Sequence, residues 1–205
     1  MGQPDDRRRG IDLLKAAWLP ACLCISACVV TRAPPPVMVP VGWELRLPAL
    51  QQTAEWALDG RVAASIGEQG WQASLAWKQR GGTTELHLTG PLGLGASALR
   101  LTPEGLSIDG APPRDDARQT LQERLGVDLP LESLRFWLLG VPDPGEASMI
   151  TRNAQDRARQ LVQSGWTVDI GRYLPVAGDW LPGQLTVQRD IVRVRIVVDH
   201  WDFPR

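Results

Sequence analysis

Cysteine and histidine, two residue types that often act as nucleophiles or general bases, are few, and most of them lie near the N-terminus. All three cysteines, Cys22, Cys24 and Cys28, fall within the first 28 residues of a 205-residue chain. The rest of the chain therefore has no thiol for a disulfide, a metal site or a nucleophile. Two histidines, His87 and His200, remain, and the sequence contains no Gly-x-Ser-x-Gly motif and no cluster of metal ligands. These observations argue against an enzyme: we predict no catalytic residue and no metal site.

The cysteines lie in a segment typical of a secretory signal. Arginines at positions 7–9 and Lys15 precede an apolar stretch of about ten residues from Ala16 to Ile25, which small residues follow. A helix that spans a bilayer needs about twenty residues. We therefore predict that residues 1–27 are a cleaved signal peptide and not a membrane anchor.

The segment Ile25–Cys28 resembles the lipobox of bacterial lipoproteins, in which a branched apolar residue and two small residues precede a cysteine that is lipidated. Cys22 and Cys24 fit less well, because Pro20 interrupts the first recognition segment and bulky Leu23 precedes Cys24. We predict lipid attachment at Cys28, as a covalent N-acyl and S-diacylglycerol group, and no other cofactor. The alternative is an ordinary secretory signal with incidental cysteines. Even two acyl chains make a stable anchor at about 0.8 kcal/mol per buried methylene.

Residues 28–42 are expected to form a tether behind the lipidated N-terminus. Prolines at positions 34, 35, 36 and 40 favour extended backbone. Val29 follows the lipidated cysteine, at the position where an aspartate favours retention in the inner membrane in related sorting systems. Because this position is not an aspartate, we expect the protein to be sorted to the outer membrane.

Residues 43–205 are expected to fold as a single domain. The chain is 43% apolar, enough for a sizeable core. Lys plus Arg number 22 and Asp plus Glu 23, so no bulk charge attracts nucleic acid, and we exclude it as a partner. The nine tryptophans stand against one tyrosine and two phenylalanines. Indole combines a large apolar area with one donor, which suits an apolar cavity that opens to water.

Alternation of apolar and polar residues predicts at least nine strands. Their connections are too short for crossover helices, so the sheet is antiparallel, and sheets of this size curl into an incomplete or full barrel. Residues 145–156 show no assignable strand pattern. The predicted strands centre on 62–66, 71–77, 86–88, 99–101, 106–108, 159–163, 166–170, 185–187 and 192–198.

Three helices are predicted beside the strands. The first runs from about Leu47 to Ala57, and the second begins at Asp115 or Asp116 and ends at Gly126. The third, Pro130–Gly140, has proline in its first turn and glycine at its end. Because it is apolar on most of its circumference, we expect it to act as a plug over or inside the curved sheet.

One predicted turn presents apolar side chains where polar ones are usual. Gly90, Gly93 and Gly95 supply backbone freedom, and Leu92 and Leu94 lie between them. Either Leu92 folds back onto the core, or the loop dips into a membrane or a partner's groove.

Several segments, in this order, resemble the LolB family of outer-membrane lipoprotein receptors. The most specific is Leu134–Pro142, which reads Leu-Arg-x-Trp-x-Leu-Gly-x-Pro. The others are the lipobox, the proline-rich tether, Trp77, Thr89–Gly93, Asp115–Ala117, Gly165–Val168 and Val198–Trp201.

The resemblance implies a mainly β fold with helices (α+β): an unclosed antiparallel β-barrel, LolA/LolB-like, that encloses an apolar cavity and is capped by helices. It also implies a function, in which the cavity accepts the acyl chains of a lipoprotein from the soluble periplasmic carrier LolA and releases them into the inner leaflet of the outer membrane. The expected membrane-insertion loop is Pro91, Leu92 and Gly93. The expected lining of the cavity is Trp77, Leu88, Trp137 and Trp166; for each tryptophan an ordinary place in the core is the alternative.

The implied partners are the carrier LolA, the acylated cargo and the inner leaflet of the outer membrane of a Gram-negative bacterium, with the protein a lipid-anchored monomer that faces the periplasm. A lipocalin-like binder of a small apolar ligand, or a structural outer-membrane lipoprotein, would explain the cavity and the anchor equally well. An outward Leu92 distinguishes these readings, because a small-molecule carrier has no need to present a leucine. Arg189, Arg193 and Arg195 are interpreted as solvent-facing, with docking against an acidic partner as the alternative.

Overall fold

The computed structural model describes residues 42–91, 95–126 and 128–203. Three helices and ten strands follow one another along this part of the chain. The helices are α1 (Trp43–Gln51), α2 (Ala117–Leu125) and α3 (Leu131–Leu138). The strands are β1 (Glu55–Ile66), β2 (Gln69–Arg80), β3 (Thr83–Thr89), β4 (Ala96–Thr102), β5 (Gly105–Ile108), β6 (Ser148–Arg152), β7 (Ala158–Gln163), β8 (Trp166–Val176), β9 (Asp179–Arg189) and β10 (Val192–Asp202).

All ten strands belong to one antiparallel sheet, in the order β5-β4-β3-β2-β1-β10-β9-β8-β7-β6. Neighbours in the sheet are consecutive in sequence except at its centre, where β1 pairs with β10 and joins the two halves. Within the described residues the edge strands β5 and β6 do not pair with each other, so the sheet is open. The expectation of an unclosed antiparallel sheet with helices is confirmed.

One face of the sheet is apolar because buried residues alternate along the strands. In β1 the buried side chains include Leu58, Val62 and Ala64, and β10 contributes Val194 and Ile196 to the same face. Their neighbours in sequence point to the opposite face, which carries the polar and charged side chains. The apolar face, below called the inner face, holds the core together with the buried sides of the helices.

A β-bulge distorts the central pair of strands. The register of β1 against β10 shifts between Asp59 and Gly60, which leaves Asp199 without an opposite residue. A Cβ atom on Gly60 would lie 2.2 Å from the carbonyl oxygen of Val197. No real side chain tolerates that distance, so the bulge requires glycine at position 60.

The helix α3 covers the inner face and is buried on more than one side. Leu134, Trp137 and Leu138 are at most 3% exposed, and Phe136 is buried on another side of the helix. The helix ends before Gly140, whose φ of +77° lies in the left-handed region that glycine adopts without strain. The expectation of an apolar helix laid over the sheet is confirmed.

The predicted first helix is wrong in its second half. α1 begins at Trp43 and ends at Gln51, and β1 already begins at Glu55. Ala54 and Leu58 continue a helical spacing, but Trp56 and Leu58 are spaced for a strand. β1 also gains backbone hydrogen bonds from strands on both sides. Pairing with two neighbours outweighs the helical spacing of a short segment.

A tenth strand, β6, lies in the stretch without an assignable pattern. It forms the edge of the sheet and pairs only with β7 among the described strands. Four of its five residues are exposed, with only Ile150 partly buried. An edge strand that buries so little has no alternation for sequence analysis to detect.

Antiparallel connectivity places the turns at two ends of the sheet. The turns at 81–82, 103–104, 153–157 and 177–178 share one end, and those at 67–68, 90–95, 164–165 and 190–191 share the other. The first is called here the α1 end, because the backbone amide of Trp43 donates to Asp156 (2.8 Å) and Arg46 pairs with Asp179 (3.0 Å). The second, which contains the predicted membrane-insertion loop, is called the loop end.

Candidate functional site

Three of the four residues expected to line a cavity lie on the inner face, and the fourth, Trp137, lies on α3, which covers that face. Trp77, Leu88, Trp137 and Trp166 are buried, with at most 7% of any side chain exposed. The structure brings them into two groups instead of one. Trp137 and Trp166 lie with ring centroids 6.5 Å apart, whereas Trp77 stacks on Trp56 at 6.0 Å. In this arrangement the four side chains are part of the core, and their contact with acyl chains stays a prediction.

Trp137 is held in place by a polar network. Its indole Nε1 donates to Oε1 of Gln163 (2.8 Å), which is 1% exposed. The same oxygen accepts from the backbone amide of Asp143 (3.0 Å). Nε2 of Gln163 donates to the carbonyls of Asp143 and Glu146 at 2.8 and 2.9 Å. All four hydrogen-bonding positions of this amide are used, so it fixes the end of α3 and the segment after it.

Trp77 lies in an environment without polar partners. Its Nε1 is buried, and no acceptor in the described part of the chain lies within hydrogen-bond distance. Trp56 stacks on it nearly in parallel, and Trp201 completes the group at 5.5 Å from Trp56. Sequence reasoning missed Trp56 because the residue was assigned to the end of a helix; its alternation with Leu58 was the available signal.

A small opening at the α1 end leads to this group. It has a volume of about 150 Å³ and lies between α1, α3 and the turn that joins β2 to β3. Trp56, Gln79 and Phe136 are among its lining residues. The guanidinium of Arg135 lies 4.4 Å from the centre of the Phe136 ring, over its face. The tryptophan group thus borders an opening at the edge of α3 through Trp56.

The predicted membrane-insertion loop is described only at its base. The amide of Gly90 donates to the carbonyl of Gly95 (3.4 Å), and Pro91 is exposed. Leu92 and Gly93 lie outside the described residues, as does Cys28. The structure places the loop base at the loop end of the sheet, between β3 and β4.

The three arginines interpreted as one solvent-facing set do not form a single patch. Arg193 and Arg195 are exposed on the outer face of β10. Arg189 is only half-exposed, and its guanidinium lies 4.4 Å above the ring of Trp166. It therefore covers the Trp137–Trp166 pair at the loop end.

The histidines and the tyrosine of the described residues lie on three different strands. Within the described ranges no three His, Cys, Asp or Glu residues lie together as metal ligands. His87 and His200 are exposed on β3 and β10, which two other strands separate. Burial raises the pKa of Tyr173 to about 12, and its hydroxyl donates to the carbonyl of Ala158 at 2.6 Å. Among the residues that the structure covers, no helix combines the length and apolar character needed to cross a membrane.

The open antiparallel sheet with helices on its apolar face has a counterpart among solved structures. A LolA superfamily protein from Nitrosomonas europaea has a crystal structure that is similar to this chain, with a TM-score of 0.51 and 7% identity. The alignment covers 80% of this chain and 94% of that one. At this identity the similarity concerns the fold alone.

The sequence comparisons define the family. The model of the family described as outer membrane lipoprotein LolB matches residues 54–201. Outer-membrane lipoprotein LolB of Nitrosococcus oceani is 32% identical over 192 residues, which cover 89% of this chain and 94% of the relative. LolB of Pseudomonas aeruginosa is 31% identical over 163 residues, or 78% of this chain and 80% of the relative. The chain belongs to the LolB family.

Proposed function

We propose that this protein is an outer-membrane lipoprotein receptor, which accepts acylated lipoproteins from a LolA-like periplasmic carrier and inserts them into the inner leaflet of the outer membrane. The observation that carries the proposal is the family match over residues 54–201, which spans the whole sheet from before β1 to the end region of β10. The apolar inner face beneath α3 supports it.

Acyl chains need an apolar binding surface that makes few specific polar demands. Exposure of one methylene to water costs about 0.8 kcal/mol, so a receptor must keep the chains covered during transfer. The inner face meets this requirement around Trp77, where even the indole N–H has no acceptor among the described residues. No phosphate-binding loop is present in the sequence. Transfer therefore runs downhill from a weaker carrier to a tighter acceptor.

Entry of cargo requires α3 to act as a lid. Its inner side is packed against Trp166 and the rest of the core, while its polar attachments are few. They include Trp137 to Gln163, Ser133 to Asp143 (3.0 Å) and the ion pair between Glu132 and Arg118 of α2. Replacement of the apolar contacts of α3 by acyl chains would cost little free energy, because one apolar neighbour is exchanged for another.

The loop at residues 91–93 is proposed to enter the membrane. Its base is closed by the Gly90–Gly95 hydrogen bond, and Pro91 already points outward. Burial of the Leu92 side chain in lipid would be worth roughly 1.5 to 3 kcal/mol. A loop tip inside the bilayer surface lets acyl chains leave the protein without crossing water. The lipid on Cys28 would hold the protein at the outer membrane, on the periplasmic side.

Two substitutions at position 92 test the proposal, in a non-acylated version that begins at Val29. Leu92→Glu places a carboxylate at the loop tip, which the hydrocarbon disfavours by some kilocalories. We expect this variant to take lipoprotein from the carrier and to fail to deliver it to liposomes. Leu92→Ile keeps the apolar volume and should deliver normally.

The two steps are measured separately, by co-purification of cargo with the receptor and by flotation of cargo with liposomes. Normal delivery by Leu92→Glu would contradict the membrane role of the loop. Loss of the folded state in Leu92→Glu, seen by circular dichroism, would instead place Leu92 in the core. If the version that begins at Val29 binds no acylated cargo, the apolar inner face is not the binding site.

A further inference from the structure

We propose that a groove on the outer face of the sheet, next to the loop at residues 91–93, binds the phosphate of an anionic phospholipid headgroup when the loop enters the membrane. The inference rests on the proposed membrane role of that loop, and it adds a second, polar contact with the same leaflet. The groove is separate from the apolar inner face that is proposed to hold cargo.

The groove lies on the face of the sheet opposite to the core. It has a volume of about 480 Å³ and crosses β10, β1, β2 and the end of β3. Lining residues include Arg61, Ala63, Ser74, Thr89, Pro91 and Arg195. The base of the membrane loop therefore forms one wall of the groove.

This position matches the depth of lipid phosphates. Pro91 directly precedes Leu92, and adjacent residues are less than about 4 Å apart. The polar layer on each side of a bilayer is about 5 to 8 Å thick. With the Leu92 side chain at the edge of the hydrocarbon, the groove wall at Pro91 lies in that polar layer. A ligand in the groove would therefore meet the region that headgroups occupy.

Arg195 provides the charge for an anion. Its Nη2 donates to Oε1 of Gln184 (3.1 Å), and among the described residues it forms no ion pair. Arg195 lies opposite Ala63 in the β1–β10 register, so its side chain stands beside that of Arg61. Arg193, two residues before it, is on the same face and is also exposed.

Arg61 is oriented by a carboxylate. Its Nε and Nη2 donate to the two oxygens of Asp199 at 3.1 and 2.8 Å, which leaves Nη1 for another acceptor. Both side chains are largely exposed, so the pair adds little to stability. Its effect is to fix one guanidinium at the side of the groove. The two arginines and one aspartate leave a net positive charge there.

The other lining groups fit a phosphodiester better than a carboxylate-bearing protein surface. The hydroxyls of Ser74 and Thr89 are neutral donors for further phosphate oxygens. The side chain of Ala63, opposite Arg195 on the outer face, gives an apolar contact for glycerol carbons. Guanidinium groups bind phosphate through paired hydrogen bonds. A phospholipid headgroup has both parts, an anionic phosphate and an apolar stem.

The test uses the mature lipidated protein, with Leu92→Cys carrying an environment-sensitive fluorophore. The protein is reconstituted in vesicles of phosphatidylcholine alone, or of phosphatidylcholine with a third of phosphatidylglycerol. Blue-shifted emission measures the fraction of loops in the bilayer. We expect phosphatidylglycerol to raise this fraction. Arg195→Gln should lower the insertion equilibrium about fivefold on the anionic vesicles, the effect of one basic residue near such a surface, and leave it unchanged on phosphatidylcholine.

Two variants serve as controls. Arg195→Lys keeps the charge and should retain most of the response, and added salt should weaken the response of the unmodified protein. Arg159→Gln removes the same charge from the exposed side of β7, far from the groove in the sheet order, and should change nothing.

The outcomes distinguish failure of the headgroup site from failure of the proposed membrane role of the loop at residues 91–93. Emission that stays unshifted on both vesicle types overturns the membrane role of the loop and this site with it. A loop that inserts equally with and without Arg195 overturns the headgroup site alone, as does an equal effect of Arg159→Gln. If Arg195→Gln instead slows uptake from the carrier and leaves insertion unchanged, the groove binds an acidic protein partner and not lipid.

Discussion

Two buried tryptophans of opposite hydrogen-bonding state should respond differently to the same substitution. Replacement of indole by phenyl removes about 40 Å³ at either position, which costs about 1 kcal/mol at about 24 cal/mol per Å³ of cavity. Trp137 also loses its hydrogen bond to Gln163 (2.8 Å), a further loss of about 1 kcal/mol. Oε1 of Gln163 still accepts from the backbone amide of Asp143, so this oxygen is not left without a donor. The loss therefore stays near the lower end of the cost of removing one partner of a buried hydrogen bond.

At Trp77 the loss of the indole N–H should raise the free energy of unfolding, whereas at Trp137 it lowers it. Its Nε1 is buried without an acceptor in the described structure, and removal of such a donor recovers about 1 to 3 kcal/mol of desolvation. Trp77→Phe should therefore leave the free energy of unfolding unchanged or raise it, while Trp137→Phe lowers it by about 2 kcal/mol. The expected difference between the two variants is at least about 2 kcal/mol.

The measurement is urea unfolding of the non-acylated protein, followed by far-ultraviolet circular dichroism because both variants change the fluorescence. Midpoints are compared at constant slope. In a double-mutant cycle, Trp137→Phe should cost about 1 kcal/mol less once Gln163 is methionine, since the hydrogen bond is already absent. Equal losses at positions 77 and 137, or a larger loss at 77, would refute the reasoning.

Two further predictions concern the frame of the sheet and its single tyrosine. Gly60→Ala should lower the melting temperature strongly, because the new Cβ would lie 2.2 Å from the Val197 carbonyl oxygen; Gly82→Ala, with nothing closer than 3.6 Å, is the control and should be neutral. Tyr173 is the only tyrosine, so phenolate absorbance reports it alone, and the folded protein should titrate with a pKa of about 12. Because burial favours the neutral phenol, the contribution of Tyr173 to the free energy of unfolding should be fully present below pH 10, the ordinary pKa of tyrosine, and should be lost between pH 10 and about 12. A titration midpoint near pH 10 in the folded protein would contradict the burial of the phenol.

The sequence predicts best those elements whose ends carry their own signals. α2 ends at Leu125 and α3 at Leu138, shortly before Gly126 and Gly140, which have left-handed backbone, and both ends fall within about two residues of the prediction. Strands with a clear alternation, such as β10, are placed correctly because one face is buried along their length. The errors fall where pairing with strands distant in sequence determines the local structure. In residues 52–57 the cause is the pairing of β1 on both sides, and in β6 it is the small number of buried residues.

The candidate site is predictable in composition but not in arrangement. The sequence predicts Trp77, Trp137 and Trp166 as cavity-lining residues, with the core as the alternative; all three are buried, and their contact with acyl chains stays a prediction. It does not indicate that Trp56 stacks on Trp77, or that Gln163 satisfies the indole of Trp137 and three backbone groups. Both contacts join segments about twenty residues apart or more, and no local pattern encodes which polar side chain will meet which indole.

The described part of the chain begins at Gly42, at the α1 end, whereas the base of the proposed membrane loop lies at the loop end. The central strand between these ends has 12 residues, a length of about 40 Å. If Cys28 carries the proposed acyl anchor, fourteen residue steps lie between it and Gly42, and a chain of that length would span about 43 Å at the polyproline rise of about 3.1 Å per residue. The span available and the span required are nearly equal. Under both proposals, the number of residues between Cys28 and Gly42 would decide whether one anchored molecule can reach the leaflet that holds it with its own loop.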